Sequence, residues 1–350
     1  MAGAFLTPAR AAAPTYDYAA VAKRAVEAHI FPGYATLQQS FEALETATAA
    51  CAQDADFSYA RLKPAFRKAI TAWGRVAHIT FGPIASKNRY ERVFFWLDRK
   101  GIARRQVMRA MKNTPALYTD AATLRRASIG VQGLSAFERV MMGDGLANAP
   151  AFRCAYARAI AGNLVGIARR ASEAWQPQGV WRKLWLKPGG TNARFLNPSE
   201  PILTLFRAVM THTERVRDVE LMRPLGFARR NRKLPGPFAL SDLTMAFIAA
   251  RLAGLRSALL DSGLVEEAIR SARALNAPQA VEDMIETRHE LNYLAERAAE
   301  NAKTARFFDG ERRQEAISLG FPLRVVRTRS ERAMAAVTDL PLGFNAADGD

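Results

Sequence analysis

The sequence predicts an all-α protein built from two antiparallel helical bundles packed side by side. Three observations carry that expectation. Apolar residues recur at three- and four-residue steps over most of the chain, alternating strand patterns are rare, and one stretch rich in proline and glycine breaks the periodicity near the middle. A length of 350 residues suits about two domains. Residues 33–52 carry Tyr34, Leu37, Phe41, Leu44 and Ala47 on one helical stripe. Residues 58–81 repeat it with Leu62, Phe66, Ile70, Trp73, Val76, Ala77 and Thr80, and Gly82-Pro83 ends the pattern.

A shorter helix follows in Gly133-Leu134-Ser135-Ala136-Phe137-Glu138. Between 151 and 175 the stripe is Phe152, Tyr156, Ile160, Leu164, Ile167 and Ala171. From Gln176 to Pro201 the periodicity fails. In the second half Ser241 is placed to cap a helix bearing Leu243, Phe247, Ala250, Leu255 and Leu259, closed by Gly263. Pro278 suits a first helical turn ahead of Val281, Ile285, Leu291 and Leu294. A short helix over Arg312–Ser318 and a last one around Arg324–Thr338 complete the set. The expected division is a leader over 1–14, an N-terminal bundle over 15–185, a linker over 186–200 and a C-terminal bundle over 201–350. Long helices joined by modest loops form such bundles, and a cleft between two of them is a usual place for a site.

The formal net charge is +17, from 50 Lys and Arg against 33 Asp and Glu. The basic residues spread along the chain, with denser groups at Arg99, Lys100, Arg104, Arg105 and Arg109, at Arg229, Arg230, Arg232 and Lys233, and at Arg324, Arg327, Arg329 and Arg332. Without a zinc-finger or RNP signature this reads as a solvated arginine-rich surface rather than a nucleic-acid site. No uninterrupted apolar run of about 18 residues is present to span a membrane. The start, Ala4-Phe5-Leu6 through Ala11-Ala12-Ala13-Pro14, reads like the tail of a secretion signal with a small-residue cleavage pattern. The other reading is an alanine-rich leader without a targeting role. Cys51 and Cys154 lack metal-site spacing; they are two buried thiols, or one disulfide in an exported protein.

Candidate chemistry centres on Glu138. Three residues apart on a helix, Ser135 and Glu138 share a face, and a carboxylate flanked by Leu134, Phe137, Val140 and Met141 needs a partner or a cleft. The segment from Phe81 to Lys100 adds Phe94, Phe95 and Trp96 together with Arg89 and Arg92, whose donor forks suit carboxylates or phosphates. In the alternative reading these aromatics seal one bundle end while Arg89 and Arg92 pair with Glu91 or Asp98. His29 precedes Ile30-Phe31-Pro32, a helix-breaking sequence, and so could line a site. His78, His212 and His289 read as packed or exposed. No phosphate loop, G-x-S-x-G elbow or H-E-x-x-H is present, and Ser135 lacks the context of a hydrolase nucleophile.

Several segments together resemble the imelysin family. They are Pro32-Gly33-Tyr34, Cys51, Trp73 with Phe81-Gly82-Pro83-Ile84, Phe94-Phe95-Trp96, Val131-Gln132-Gly133-Leu134-Ser135-Ala136-Phe137-Glu138, Arg153-Cys154 with Tyr156, and the C-terminal Leu342-Gly343-Phe344-Asn345-Ala346-Ala347-Asp348-Gly349-Asp350. The resemblance implies an exported, periplasmic or membrane-anchored bacterial protein of two helical bundles, linked to iron acquisition, with a site between them. No lipobox cysteine near the start supports an anchor.

Family members often carry G-x-H-x-x-E, in which His and Glu one turn apart can hold a metal. Here Gly133 and Glu138 match, but Ser135 stands at the histidine position. A hydroxyl is a poor transition-metal ligand beside imidazole, which weakens both Glu138 as a metal ligand and metallopeptidase activity. Iron or another divalent metal is the cofactor the resemblance offers. The exported setting favours a Cys51–Cys154 disulfide.

The resulting expectation is a periplasmic imelysin-like binding protein serving an iron- or metal-uptake system, with unidentified periplasmic or membrane partners. Its cleft would be lined by Gly133, Ser135, Glu138, Arg92, Trp96 and His29. The alternatives are a divergent metal-dependent peptidase, or a basic scaffold that binds anionic polymers.

Overall fold

The computed structural model describes residues 16–51, 59–98, 100–143, 150–227, 235–303 and 312–338. The leader over 1–14, the C-terminal motif 342–350 and the basic group at Arg229–Lys233 lie outside them. The described residues are helical, with no strand among them.

In chain order the α-helices are α1 (Tyr18–Arg24), α2 (Phe31–Cys51), α3 (Tyr59–Val76), α4 (Arg89–Val93), α5 (Ile102–Asn113), α6 (Ala121–Leu124), α7 (Gly133–Met142) and α8 (Pro150–Trp175). Then follow α9 (Val180–Leu186), α10 (Ser199–Arg215), α11 (Thr244–Leu260), α12 (Leu264–Ala274), α13 (Pro278–Asn301), α14 (Arg312–Ser318) and α15 (Gly320–Val337).

In the first half α2 packs on α3 and α8, and α7 lies against α8. In the second half α13 packs on α11, α12 and α15. The halves meet where α3 lies on α11. That crossing is close: a Cβ on Gly254 would lie 2.3 Å from the Arg75 carbonyl oxygen. The stripes predicted from the sequence are buried, with Tyr34, Leu37, Phe41, Leu62, Phe66, Trp73 and Tyr156 in one continuous core shared with Phe247, Leu255, Leu259 and Leu294. Among the described residues no helix is long and apolar enough to cross a membrane.

Cys51 at the end of α2 is disulfide-bonded to Cys154 near the start of α8, their Cα atoms 5.5 Å apart across a sequence separation of 103. A loop of that length removes about 4–5 kcal/mol of chain entropy from the unfolded state.

Three local expectations are corrected. The helix does not break at Ile30-Phe31-Pro32. A π-turn over Ala25–Ile30 joins α1 to α2 without interruption, and its wider ring accommodates a proline that has no N–H to donate. The last helix begins at Gly320 rather than near Arg324, with Pro322 in its first turn, where a missing N–H costs nothing. Ser241 does not cap α11, whose N-cap position is Leu243.

Within the expected linker, residues 187–198 are non-helical but held down. Trp185 is fully buried, stacks on Phe81 with ring centroids 5.1 Å apart, and donates from Nε1 to the Ala22 carbonyl at 3.0 Å. Phe195 packs edge-on against Trp185.

Candidate functional site

Gly133 opens α7 at φ +76°, and a Cβ there would sit 2.5 Å and 2.6 Å from the carbonyl oxygens of Arg92 and Val93. Glycine therefore lets α7 start directly against the end of α4. From that start Ser135 and Glu138 project along one face, as the spacing predicts, into a cavity of about 630 Å³. Its walls come from both halves of the chain: Phe95–Asp98 and the first turns of α5, Gln132 to Arg139 on α7, and Pro235 to Leu240 ahead of α11. Phe238, in the last segment, holds a left-handed φ of 58° while packed against Phe66, Phe94 and Phe247. A bulky side chain in that region carries local strain, of the kind that gathers at binding sites.

Glu138 is 6% exposed. Its Oε1 accepts from the Ser241 backbone N–H at 3.0 Å and the Ser241 hydroxyl at 2.6 Å. Burial pushes its carboxyl up to about 7, against the lowering effect of the Ser241 donors and of neighbouring Arg139. The Ser135 hydroxyl is buried and without a hydrogen-bond partner among the described residues. Gln132 is fixed, donating to the Ala127 and Ser128 carbonyls and accepting from Asn163. Asp98 is likewise committed, accepting from the backbone N–H groups of Ile102 and Arg104 at 2.8 and 3.0 Å.

Of the residues named from the sequence, Ser135, Glu138 and Trp96 line this cavity together. Gly133 supports it through the backbone. Arg92 does not face it: its guanidinium donates to the carbonyls of Lys87 and Arg125, at 3.3 and 2.6 Å. Arg89 likewise donates to the Pro83 carbonyl. Neither arginine pairs with Glu91 or Asp98; both neutralise free carbonyls around an irregular turn.

His29 is not beside Glu138. It is buried at the edge of a separate cavity of about 190 Å³ lined also by Thr36, Arg75 and Ser257. Its Nδ1 lies 2.9 Å from the Ser257 hydroxyl and its Nε2 lies 2.9 Å from Nε2 of His78.

A buried polar group not anticipated from sequence lies near this pair. Arg251, 1% exposed, donates from Nε to Glu220 at 3.1 Å and lies with Nη2 2.6 Å from Nδ1 of His212. Arg215 also donates to Glu220, and to the Trp96 carbonyl at 2.8 Å, so the network reaches the wall of the larger cavity. The signal available in the sequence was an arginine within α11, which is apolar all round: such a helix is buried, and a buried guanidinium needs partners. Arg104 and Arg139, which also line the larger cavity, were visible only as members of a basic run and as the residue after Glu138.

The metal set implied by G-x-H-x-x-E does not fit these residues. Around Glu138 stand a hydroxyl at Ser135, an amide and a carboxylate already committed at Gln132 and Asp98, and the cations Arg104 and Arg139. A transition metal needs several imidazole, thiolate or free carboxylate donors, and nearby cations oppose it. Among the described residues the one group with three close potential ligands is Glu286, His289 and Glu290, on a single face of α13 and not in the lining of this cavity. Acids and histidine at such spacing are common on surface helices and carry no argument for a metal.

Comparison with solved structures gives two similar folds. An imelysin-like protein from Psychrobacter arcticum 273-4 matches with a TM-score of 0.75 at 18% identity, over 95% of this chain and 98% of that one. A protein from Parabacteroides distasonis ATCC 8503, provisionally named iron-regulated protein A precursor, matches with a TM-score of 0.63 at 14% identity, over 91% of this chain and 96% of that one. No curated protein matches the chain. The imelysin (peptidase M75) family model matches residues 30–317, and so the chain belongs to the imelysin family.

Proposed function

We propose that this protein is an exported, periplasmic binding protein that serves an iron- or metal-uptake system. On this reading its ligand sits in the cleft between an N-terminal bundle over 15–185 and a C-terminal bundle over 201–350. Ser135, Glu138 and Trp96 face the ligand, and Gly133 shapes the floor from behind. The observation that carries the reading is the Ser135 hydroxyl, buried and without a hydrogen-bond partner among the described residues, at the wall of a cavity whose volume suits a small molecule. The iron link rests on family membership and on the name carried by the Parabacteroides distasonis protein. The disulfide agrees with an oxidising compartment.

The test is genetic and biochemical together. A deletion strain of the native host should grow poorly under iron limitation, and the wild-type gene should restore growth. A gene carrying Ser135→Leu, which removes the hydroxyl and puts a bulkier apolar group at that wall of the cavity, should fail to restore it while the protein still accumulates in the periplasmic fraction. Equal rescue by both genes would refute the cavity as the working site.

A further inference from the structure

The charge around the Glu138 cavity is lopsided. Lys100, Arg104, Arg105 and Arg139 line it, and among the described residues none of the four forms a salt bridge. Among the described residues the carboxyls that line it are Asp98 and Glu138. The first is occupied by the backbone N–H groups that begin α5, and the second by both donors of Ser241.

Arg139 is half-buried, and burial pulls its guanidinium below its ordinary range; nearby Glu138 and Asp98 work against that shift and Arg104 works with it. A partly desolvated guanidinium without an ion-pair partner costs free energy until an anion arrives. Glu138, its carboxyl raised to about 7 by burial, carries less negative charge near neutral pH than an exposed carboxylate would, and so repels an anion less.

The walls also say what kind of anion. Phe95, Trp96, Leu97, Met108, Phe238 and Leu240 give the cavity apolar surface beside its cations. Leu240 is 43% and Met108 38% exposed, which is more apolar surface than an inorganic ion would cover. The volume of about 630 Å³ is in the range of a small-molecule site.

We infer that the Glu138 cavity takes a small organic carboxylate, free or as the ligand shell of a metal chelate. Arg139 pairs with its carboxylate, Ser135 donates a hydrogen bond, and the Trp96 side receives its apolar body. The inference rests on the reading of this cavity as the ligand site and narrows the ligand class. It also accounts for the serine in the motif: a hydroxyl that coordinates a metal poorly is a sound donor to a carboxylate oxygen. A bare metal ion is thereby replaced as ligand by an anion that can carry one.

The test is isothermal titration of the full chain with salicylate, salicylamide, inorganic phosphate, zinc ion and ferric salicylate. Salicylamide has the size of salicylate without its charge, so it should bind at least about tenfold more weakly, the scale of one lost charge-assisted pair. Arg139→Gln should weaken salicylate by about tenfold or more, and Ser135→Ala by about three- to fivefold. Arg109→Gln, on α5 but outside the cavity, should stay within about twofold. Arg104→Gln, at the exposed rim, gives a smaller loss and guards against misfolding of the Arg139 variant. Tighter binding of the ferric complex assigns the ligand as a chelate, tighter binding of the free acid assigns it as the acid, and either supports the proposal.

Salicylamide or phosphate binding as tightly as salicylate would overturn the carboxylate assignment, as would salicylate binding unchanged by Arg139→Gln. Zinc binding that Glu138→Gln abolishes, with no response to salicylate, would overturn the anion while leaving the cavity as the ligand site. No response to any of the five probes would overturn both.

Discussion

Ser241 gives both its backbone N–H and its hydroxyl to a single oxygen of Glu138, at 3.0 and 2.6 Å, across 103 residues of sequence. The bond ties α7 of the first half to the segment that leads into α11 of the second. Among the described residues this buried carboxylate has neutral hydrogen-bond donors and no salt-bridge partner, so its ionisation has a cost.

That cost sets a pH dependence. The folded carboxyl is raised to about 7 from an unfolded value near 4.5, so the folded state keeps a proton that the unfolded state releases. Stability from this group is full below pH 4.5 and falls as pH rises toward 7, by about 3 kcal/mol at the order of magnitude. Glu138→Gln stays neutral and still accepts from Ser241. Thermal melts of the two proteins should diverge between pH 5 and 8, with the variant increasingly favoured. Parallel curves would mean that Glu138 ionises in the folded state as freely as in water.

The His29–His78 pair sets the opposite slope. Burial holds His29 down to about 4 and keeps His78 well below its ordinary value. Two ring nitrogens 2.9 Å apart share one proton and cannot both carry one. Stability is therefore full above the unfolded histidine value near 6.5 and is lost as pH falls toward 4. In His78→Gln the acid limb should be shallower than in wild type, measured by denaturant unfolding at pH 4.5 and 7. An unchanged limb would place the acid sensitivity elsewhere.

At the Arg251–Glu220 pair, both side chains 1% exposed, the expected effect is larger and needs no pH change. Removing one partner strands a buried charge, which typically costs about 3–5 kcal/mol. Glu220→Gln should lower the midpoint of urea unfolding accordingly. A change under about 1 kcal/mol would show that water reaches Arg251.

Much of this was legible in the sequence, and the gaps have one physical cause. The stripes at Leu62–Trp73 and Tyr34–Leu44 gave helices because a helical period needs only neighbours three and four residues away. The face shared by Ser135 and Glu138 was readable for the same reason. Ser241 was misread because a serine ahead of an apolar run is also the mark of an N-cap, and its true partner is 103 residues distant. The meeting of His29 with His78, and of Arg251 with Glu220 and His212, depends on which helices pack together. The place of Arg92 beside the aromatics suggests a cleft residue, but a guanidinium with five donors is as well satisfied by carbonyls. The basic group at Arg324–Arg332, read as solvated surface, is partly engaged. Arg329 and Arg332 hold the buried Asp283, and Arg327 pairs with Glu214 and Glu331.

The disulfide gives a prediction about stability and compartment. Protein recovered from the periplasm should show no free thiol until it is reduced. A Cys51→Ala, Cys154→Ala variant should be less stable by about 3–5 kcal/mol. Two labelled thiols in the unreduced protein would remove the bond and the strongest structural support for export.

The central claim is that the cavity faced by Ser135 and Glu138 is where the ligand binds. Ser135→Leu removes the hydroxyl and crowds that wall of the cavity while leaving both partners of the Ser241–Glu138 bond in place, so the melting temperature should stay within a few degrees of wild type. The decisive measurement is the shift of that melt on adding salicylate. Wild type should show a clear upward shift and the variant none. An equal shift in both would contradict the central claim.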